Sequence, residues 1–188
     1  TKKILISLRP TEPALFNALN LAEKYQKSKI LNYFKSSQNK INSLVFKIIK
    51  NNQIIFTHCH SSAVSQALAY AKKHGKKFQV YNTETRPLYQ GRITAKELSK
   101  AGIKVTDFVD SAMHKAIEKS SIILLGADAI LKTGVINKIG SELAAEVAKR
   151  YDIPVYVCAS SWKFSPETAL GYEEAIEERS PKEVWDNA

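Results

Sequence analysis

After residue 50 the chain alternates short apolar runs with stretches of helical periodicity, and no other feature narrows its fold so much. Ile54-Ile55-Phe56, Phe78 to Tyr81, Val105 to Val109, Ile122 to Leu125 and Val155 to Cys158 read as strands. Ala63 to Lys73, the stretch closed by Gly102, Ser111 to Glu118 and Asn137 to Arg150 read as helices. Thr94-Ala95-Lys96-Glu97 has the form of a capping box, in which hydroxyl and carboxylate satisfy each other's free backbone donors. On the helix from Asn137, Ile139, Leu143 and Val147 share one face. Strand–helix alternation at this spacing predicts an α/β, Rossmann-like fold, a mostly parallel sheet with helices on both faces.

The first 50 residues read differently. Thr11 is placed to cap a helix whose first turn holds Glu12 and Pro13 and whose face carries Leu15, Leu19 and Ala22. A second helix carries the stripe Ile41, Leu44, Val45, Ile48 and Ile49, and Asn51-Asn52 end it. The expected organisation is a short helical segment over 1–50 followed by the α/β domain over 51–188. With 188 residues, 44% of them hydrophobic and 24% charged, wholesale disorder and collagen are excluded. No apolar run approaches the roughly 20 residues that cross a bilayer. The run in Thr1 to Pro10 is too short for a signal peptide, so a cytoplasmic, membrane-free protein is expected. Two cysteines, Cys59 and Cys158, make no disulfide framework. Ten Lys/Arg against two acids leave residues 1–50 at +8, while three bases against seven acids leave 161–188 at −4. Such a basic excess can attract nucleic acid, acidic lipids or small phosphorylated substrates, although lysines scattered over helices more often make a solvated face. Nucleic acid is not expected, because no aromatic-rich RNP pattern or zinc finger accompanies it.

Ligands of open parallel sheets sit beyond the carboxyl ends of the strands. Three polar clusters fall there: Thr57-His58-Cys59-His60-Ser61-Ser62, Thr83-Glu84-Thr85-Arg86-Pro87 and Gly126-Ala127-Asp128. Cys59 lies just before a helix start, where the dipole favours thiolate, so it reads as a base or nucleophile or else as a small buried hydrophobe. Asp128 reads as a catalytic carboxyl or a turn residue. His58 and His60, two apart, could point to one side of an extended segment, but no partners at zinc-site spacing accompany them and no metal is expected. Ser61 and Ser62 at a helix start form an anion cradle, and Ser165-Pro166-Glu167-Thr168 with Lys163 before it resembles another. Arg9 precedes the first capped helix, where a guanidinium could clamp a phosphate. No Walker loop, GxGxxG or GxSxG occurs.

Taken in order, these motifs resemble one family. They are Thr57-His58-Cys59-His60-Ser61, Thr83-Glu84-Thr85-Arg86-Pro87 with Gln90-Gly91, Ile93-Thr94-Ala95-Lys96-Glu97-Leu98 and Gly126-Ala127-Asp128. Val135-Ile136-Asn137-Lys138-Ile139-Gly140 and Phe164-Ser165-Pro166-Glu167-Thr168 complete the set. The family contains the translation initiation factor 2B α/β/δ subunits and related sugar-phosphate isomerases, and the resemblance runs from about Arg9 to Trp185. It implies a cofactor-free aldose–ketose isomerase that converts ribose 1,5-bisphosphate to ribulose 1,5-bisphosphate by acid-assisted ring opening and proton or hydride transfer.

By the same matching, Cys59 and Asp128 are the catalytic pair. Arg9, Ser61, Ser62, Asn137, Lys138 and Lys163 are substrate or phosphate contacts, with Asn137 and Lys138 opening a helix. Asp128 then needs a raised pKa to act as the acid, and Cys59 a lowered one to act as the base. The resemblance implies a homo-oligomer. It also sets the chain's start beyond the Arg-Gly-Ala-Gly-type phosphate loop of full-length members. The alternative is a non-catalytic, initiation-factor-2B-like regulatory protein that binds a nucleotide, phosphosugar or protein partner.

Overall fold

All five apolar runs join one parallel sheet. The computed structural model describes residues 2–8, 12–172, 176 and 178–186, with the backbone alone at 3, 7 and 8. Three helices come first: α1 (Lys2–Leu8), α2 (Pro13–Ala22) and α3 (Lys27–Ile48). Then follow β1 (Gln53–His58), α4 (Ser62–Lys73), β2 (Phe78–Thr83), α5 (Gln90–Lys100), β3 (Lys104–Phe108), α6 (Met113–Glu118) and β4 (Ile122–Leu125). A small hairpin, β5 (Ala129–Ile130) and β6 (Val135–Ile136), precedes α7 (Ser141–Arg150) and β7 (Val155–Val157). The sheet order is β3-β2-β1-β4-β7 with every pairing parallel.

Successive strand residues face opposite sides, which explains why both sides are apolar. Ile55, Val80 and Leu124 pack with Val64 and Leu68 of α4, Leu98 of α5 and Val45 and Ile49 at the end of α3. Their chain neighbours Phe56, Ile123 and Leu125 pack on the other side with Met113 and Ile117 of α6 and Ala144 and Ala148 of α7. From β1 the chain winds outward through β2 to β3, then returns to β4 on β1's other flank. The segments leaving β1 and β4 therefore diverge, and a crevice opens between them at the carboxyl edge.

Several local expectations are corrected. Thr94 caps nothing. The helix already runs from Gln90, and Thr94 is a buried residue inside it whose hydroxyl donates to the Cys59 carbonyl at 2.9 Å. Asn137 and Lys138 do not open a helix, because the chain first closes the β5–β6 hairpin and α7 starts at Ser141 behind Gly140. Small residues, Ala144 and Ala148, form the inner face of α7, while Ile139 and Leu143 are 79% and 56% exposed. Val45 of α3 and Ile49 just after it are buried but Leu44 is 62% exposed, since only part of the apolar stripe faces the sheet. Strand β7, as expected a strand, is the exposed edge of the sheet. The segment at Ser165 opens only a short 3₁₀ stretch, Pro166–Leu170. Thr11 lies outside the described residues, and α2 begins at Pro13 with Glu12 in the cap position.

Candidate active site

At the end of β1 the backbone turns sharply. Cys59 has φ = +66°, the left-handed region that a side chain other than glycine's occupies at a cost, and one met most often where a site demands it. Its amide donates to Thr85 Oγ1 at 3.0 Å and its carbonyl accepts from Thr94. Thr85, itself at φ = +63°, is held through its amide by Asp110, which also accepts from the Arg86 amide. The turn carrying the thiol is thus braced from β2, α5 and the loop after β3.

The turn also parts the two histidines, which face different elements. His58 is buried, with Nε2 2.8 Å from the Ile139 carbonyl and Nδ1 2.5 Å from Thr83 Oγ1. A carbonyl only accepts, so Nε2 carries the hydrogen and Nδ1 of the neutral ring accepts from the Thr83 hydroxyl. This bond ties β1 to the loop that presents Asn137 and Lys138. Gly140, at φ = +97°, lies so close that a Cβ there would sit 2.8 Å from His58 Nε2. Burial pushes the His58 pKa below its ordinary 6.5, and the Lys138 charge adds to the shift, against smaller opposing effects of the Ile139 bond and Asp110. The folded chain therefore binds this proton less tightly than the unfolded chain does. Stability is full above pH 6.5 and falls as the pH drops through 6.5 towards the folded-state value. We expect the melting temperature to fall between pH 7 and 5.5, and His58→Asn to flatten that dependence while lowering stability at pH 7. An unchanged slope in the variant would remove His58 as its source.

On the other flank, Asp128 follows β4, its amide bonded to Ile136 O at 2.8 Å, so the hairpin fixes where the carboxyl begins. Gly126 lets β4 approach the start of α4; a Cβ there would lie 2.6 Å from Ser61 Oγ. Between them lies a cavity of about 410 Å³, lined by Asp128, Ser61, Ser62, Asn137, Lys163, His60 and Cys158. The N-terminal helices wall its open side with Phe34, Ser37, Gln38 and Ile41 of α3, and with Glu12 and Ala14 where α2 begins. Gln38 donates to the Ala63 carbonyl at 3.1 Å, and Trp162 stacks on Tyr33 with ring centroids 3.9 Å apart, so the wall is pinned at both ends. Asn17 of α2 donates to the Trp162 carbonyl at 2.8 Å, holding the turn that carries Lys163.

Ser61 stands at the N-cap of α4 without capping it, and the first-turn amides of this 12-residue helix lie at the cavity. Free amides, a helix dipole, the Asn137 amide and the Lys163 ammonium form a suitable surface for an anion. Lys163 Nζ donates to the Ala127 carbonyl, which anchors the cation to the loop of Asp128.

The structure thus brings together Asp128, Ser61, Ser62, Asn137 and Lys163. Cys59 and Lys138 do not line the cavity, although their chain neighbours His60 and Asn137 do, and Arg9 lies outside the described residues. Cys59 follows β1 and Asp128 follows β4, and these strands are parallel neighbours, so thiol and carboxyl leave the same edge of the sheet. The expected lowering of the thiol pKa is not found. Burial pushes it above 9.0, and Asp128 and Asp110 add to the rise, outweighing the His60 amide and Lys138, which pull it down. Cys158, with no polar compensation, is pushed up to about 11 and stays a neutral thiol. The contribution of α3 to the cavity and the orientation of His60 had no local signal, since both depend on segments remote in the chain.

The family model described as the initiation factor 2 subunit family matches residues 1–187. The ribose 1,5-bisphosphate isomerase of Archaeoglobus fulgidus is 37% identical over 195 residues, which cover 96% of this chain and 62% of that protein. The methylthioribose-1-phosphate isomerase of Thermosipho africanus is 35% identical over 97% of this chain and 61% of its own length. The crystal structure of the Pyrococcus horikoshii translation initiation factor eIF-2B superposes with a TM-score of 0.86 at 30% identity, covering 95% of this chain and 68% of that one. The chain spans less than two thirds of the length of the two isomerases.

Proposed function

This chain belongs to the initiation factor 2 subunit family, and on that premise we propose that it isomerises ribose 1,5-bisphosphate to ribulose 1,5-bisphosphate. The supporting observation is the placing of Asp128, the start of α4, Asn137 and Lys163 around one cavity, with Cys59 next in the chain to His60 of its lining. Carbon 1 carries a phosphate, so the sugar opens only by breaking its bond to the ring oxygen. Asp128 delivers a proton to that oxygen as the bond breaks, and Cys59, as thiolate, takes the hydrogen from carbon 2 as a proton. Direct hydride transfer from carbon 2 to carbon 1 is the other route, and neither needs a redox cofactor. The α4 amides, Ser61, Ser62, Asn137 and Lys163 hold one phosphate. Lys138 and Arg9 belong to the same reading as further anion contacts. Self-association belongs to it too, supported by the exposed edge β7 and by Ile139 and Leu143.

Incubation with ribose 1,5-bisphosphate, with formation of the ketose followed by ³¹P NMR, tests this reading. Because turnover needs the Cys59 thiolate and the protonated Asp128 carboxyl together, and burial holds the thiol above 9.0, the alkaline fall of kcat/KM should set in only beyond pH 9.0. No ketose at any pH would defeat the proposal. The protonated state of the thiol favours a second reading, a family member that binds a phosphosugar without turning it over; saturable binding with no product would establish that instead.

A further inference from the structure

In the isomerase reaction one proton travels from the hydroxyl on carbon 2 to Asp128, and the geometry points to His60 as the group that carries it. When carbon 2 becomes a ketone, its hydroxyl loses a proton whether hydrogen reaches carbon 1 by proton or by hydride transfer. In the proton route, Cys59 takes a proton from carbon 2 and returns one to carbon 1, so it ends as it began. Asp128 gives one to the ring oxygen and ends a proton short. The deficit at Asp128 equals the proton released at oxygen 2, so the cycle closes when that proton reaches Asp128, directly or through a group in the same cavity.

His60 lines that cavity together with Asp128, and its hydrogen bonds prepare it as an acceptor. The one hydrogen of the Thr94 hydroxyl is committed to the Cys59 carbonyl at 2.9 Å. At 3.1 Å from the same oxygen, His60 Nδ1 must therefore be the donor. Glu97 Oε2, 3.9 Å from Nδ1, further favours a hydrogen on that side. The neutral ring then carries its lone pair on Nε2, which has no partner among the described residues. As the oxygen 2 proton moves to Nε2, its O–H electrons form the second bond of the carbonyl. Passing the proton from Nε2 to the Asp128 carboxylate, directly or through water, restores both groups. This role rests on the isomerase reading.

His60→Asn keeps an N–H for Thr94 but offers no basic nitrogen. Its kcat should fall about 10²-fold or more with KM little changed, and added imidazole should restore part of the loss. His60→Gln, read in the same way, serves if the first variant does not fold. Turnover unchanged in a folded variant, or a loss that imidazole does not relieve, would overturn the role while leaving the isomerase reading intact. Absence of ketose with the unsubstituted chain would overturn that reading and this role together.

Discussion

Cys59→Ser is expected to lower kcat by about 10³-fold or more, and Asp128→Asn to do the same, with the fold preserved in both. A serine hydroxyl does not ionise usefully where even the thiol is held above its ordinary value, so the proton on carbon 2 has no acceptor. The exchange of sulfur for oxygen leaves the turn in place, because the links to Thr85 and Thr94 run through the Cys59 amide and carbonyl. In Asp128→Asn the backbone bond to Ile136 likewise survives, while the amide N–H is far too weak an acid to protonate the ring oxygen. Ketose formation measured beside the melting temperature separates chemistry from folding. Turnover retained by either folded variant would strike that residue from the mechanism.

Gly91→Ala should produce the largest loss of stability of any change described. A Cβ at position 91 would lie 1.8 Å from the Thr83 carbonyl oxygen and under 3.0 Å from the carbonyl carbons of Thr83 and Glu84. All of these are backbone atoms, and they are held. The Glu84 amide donates to Phe108 O at 2.8 Å, and Asn82 Nδ2 donates to the Gly91 carbonyl at 2.8 Å. Relief therefore requires the whole of α5 to move, which carries Thr94 away from the Cys59 carbonyl. A cost of about 4 kcal/mol or more follows from overpacking against backbone, equivalent to a fall of roughly 10 °C in melting temperature. Any folded fraction should turn over slowly, since the turn holding the thiol loses a brace. Thermal unfolding within about 2 °C of the unsubstituted protein would show that the contact relaxes cheaply.

Thr94-Ala95-Lys96-Glu97 satisfies the rule for a helix start, yet α5 begins at Gln90. Its early start lets Gly91 pack on β2 and brings the Thr94 hydroxyl to Cys59, contacts that no local rule weighs. The helix expected from Asn137 begins at Ser141, since Asp128 and Ile136 bond across the hairpin and keep the intervening chain extended. Ile139 and Leu143 lie outside the core for a related reason. The narrow space beside α6 admits Ala144 and Ala148, and the larger residues face outward.

What the amino-acid order determined by itself is the α/β layout and the set of loops at which chemistry is possible. Both rest on local physics: runs of apolar residues that must be buried on two sides, and polar clusters that end them. The motif series likewise carried the family, because spacing along the chain is itself sequence. Only the tertiary structure decided that α3 walls the cavity, that burial lifts the Cys59 thiol rather than the helix start lowering it, and that His60 bears its hydrogen on Nδ1. Each of these is set by desolvation or by a single shared hydrogen between segments far apart in the chain, and such quantities exist only once those segments have met.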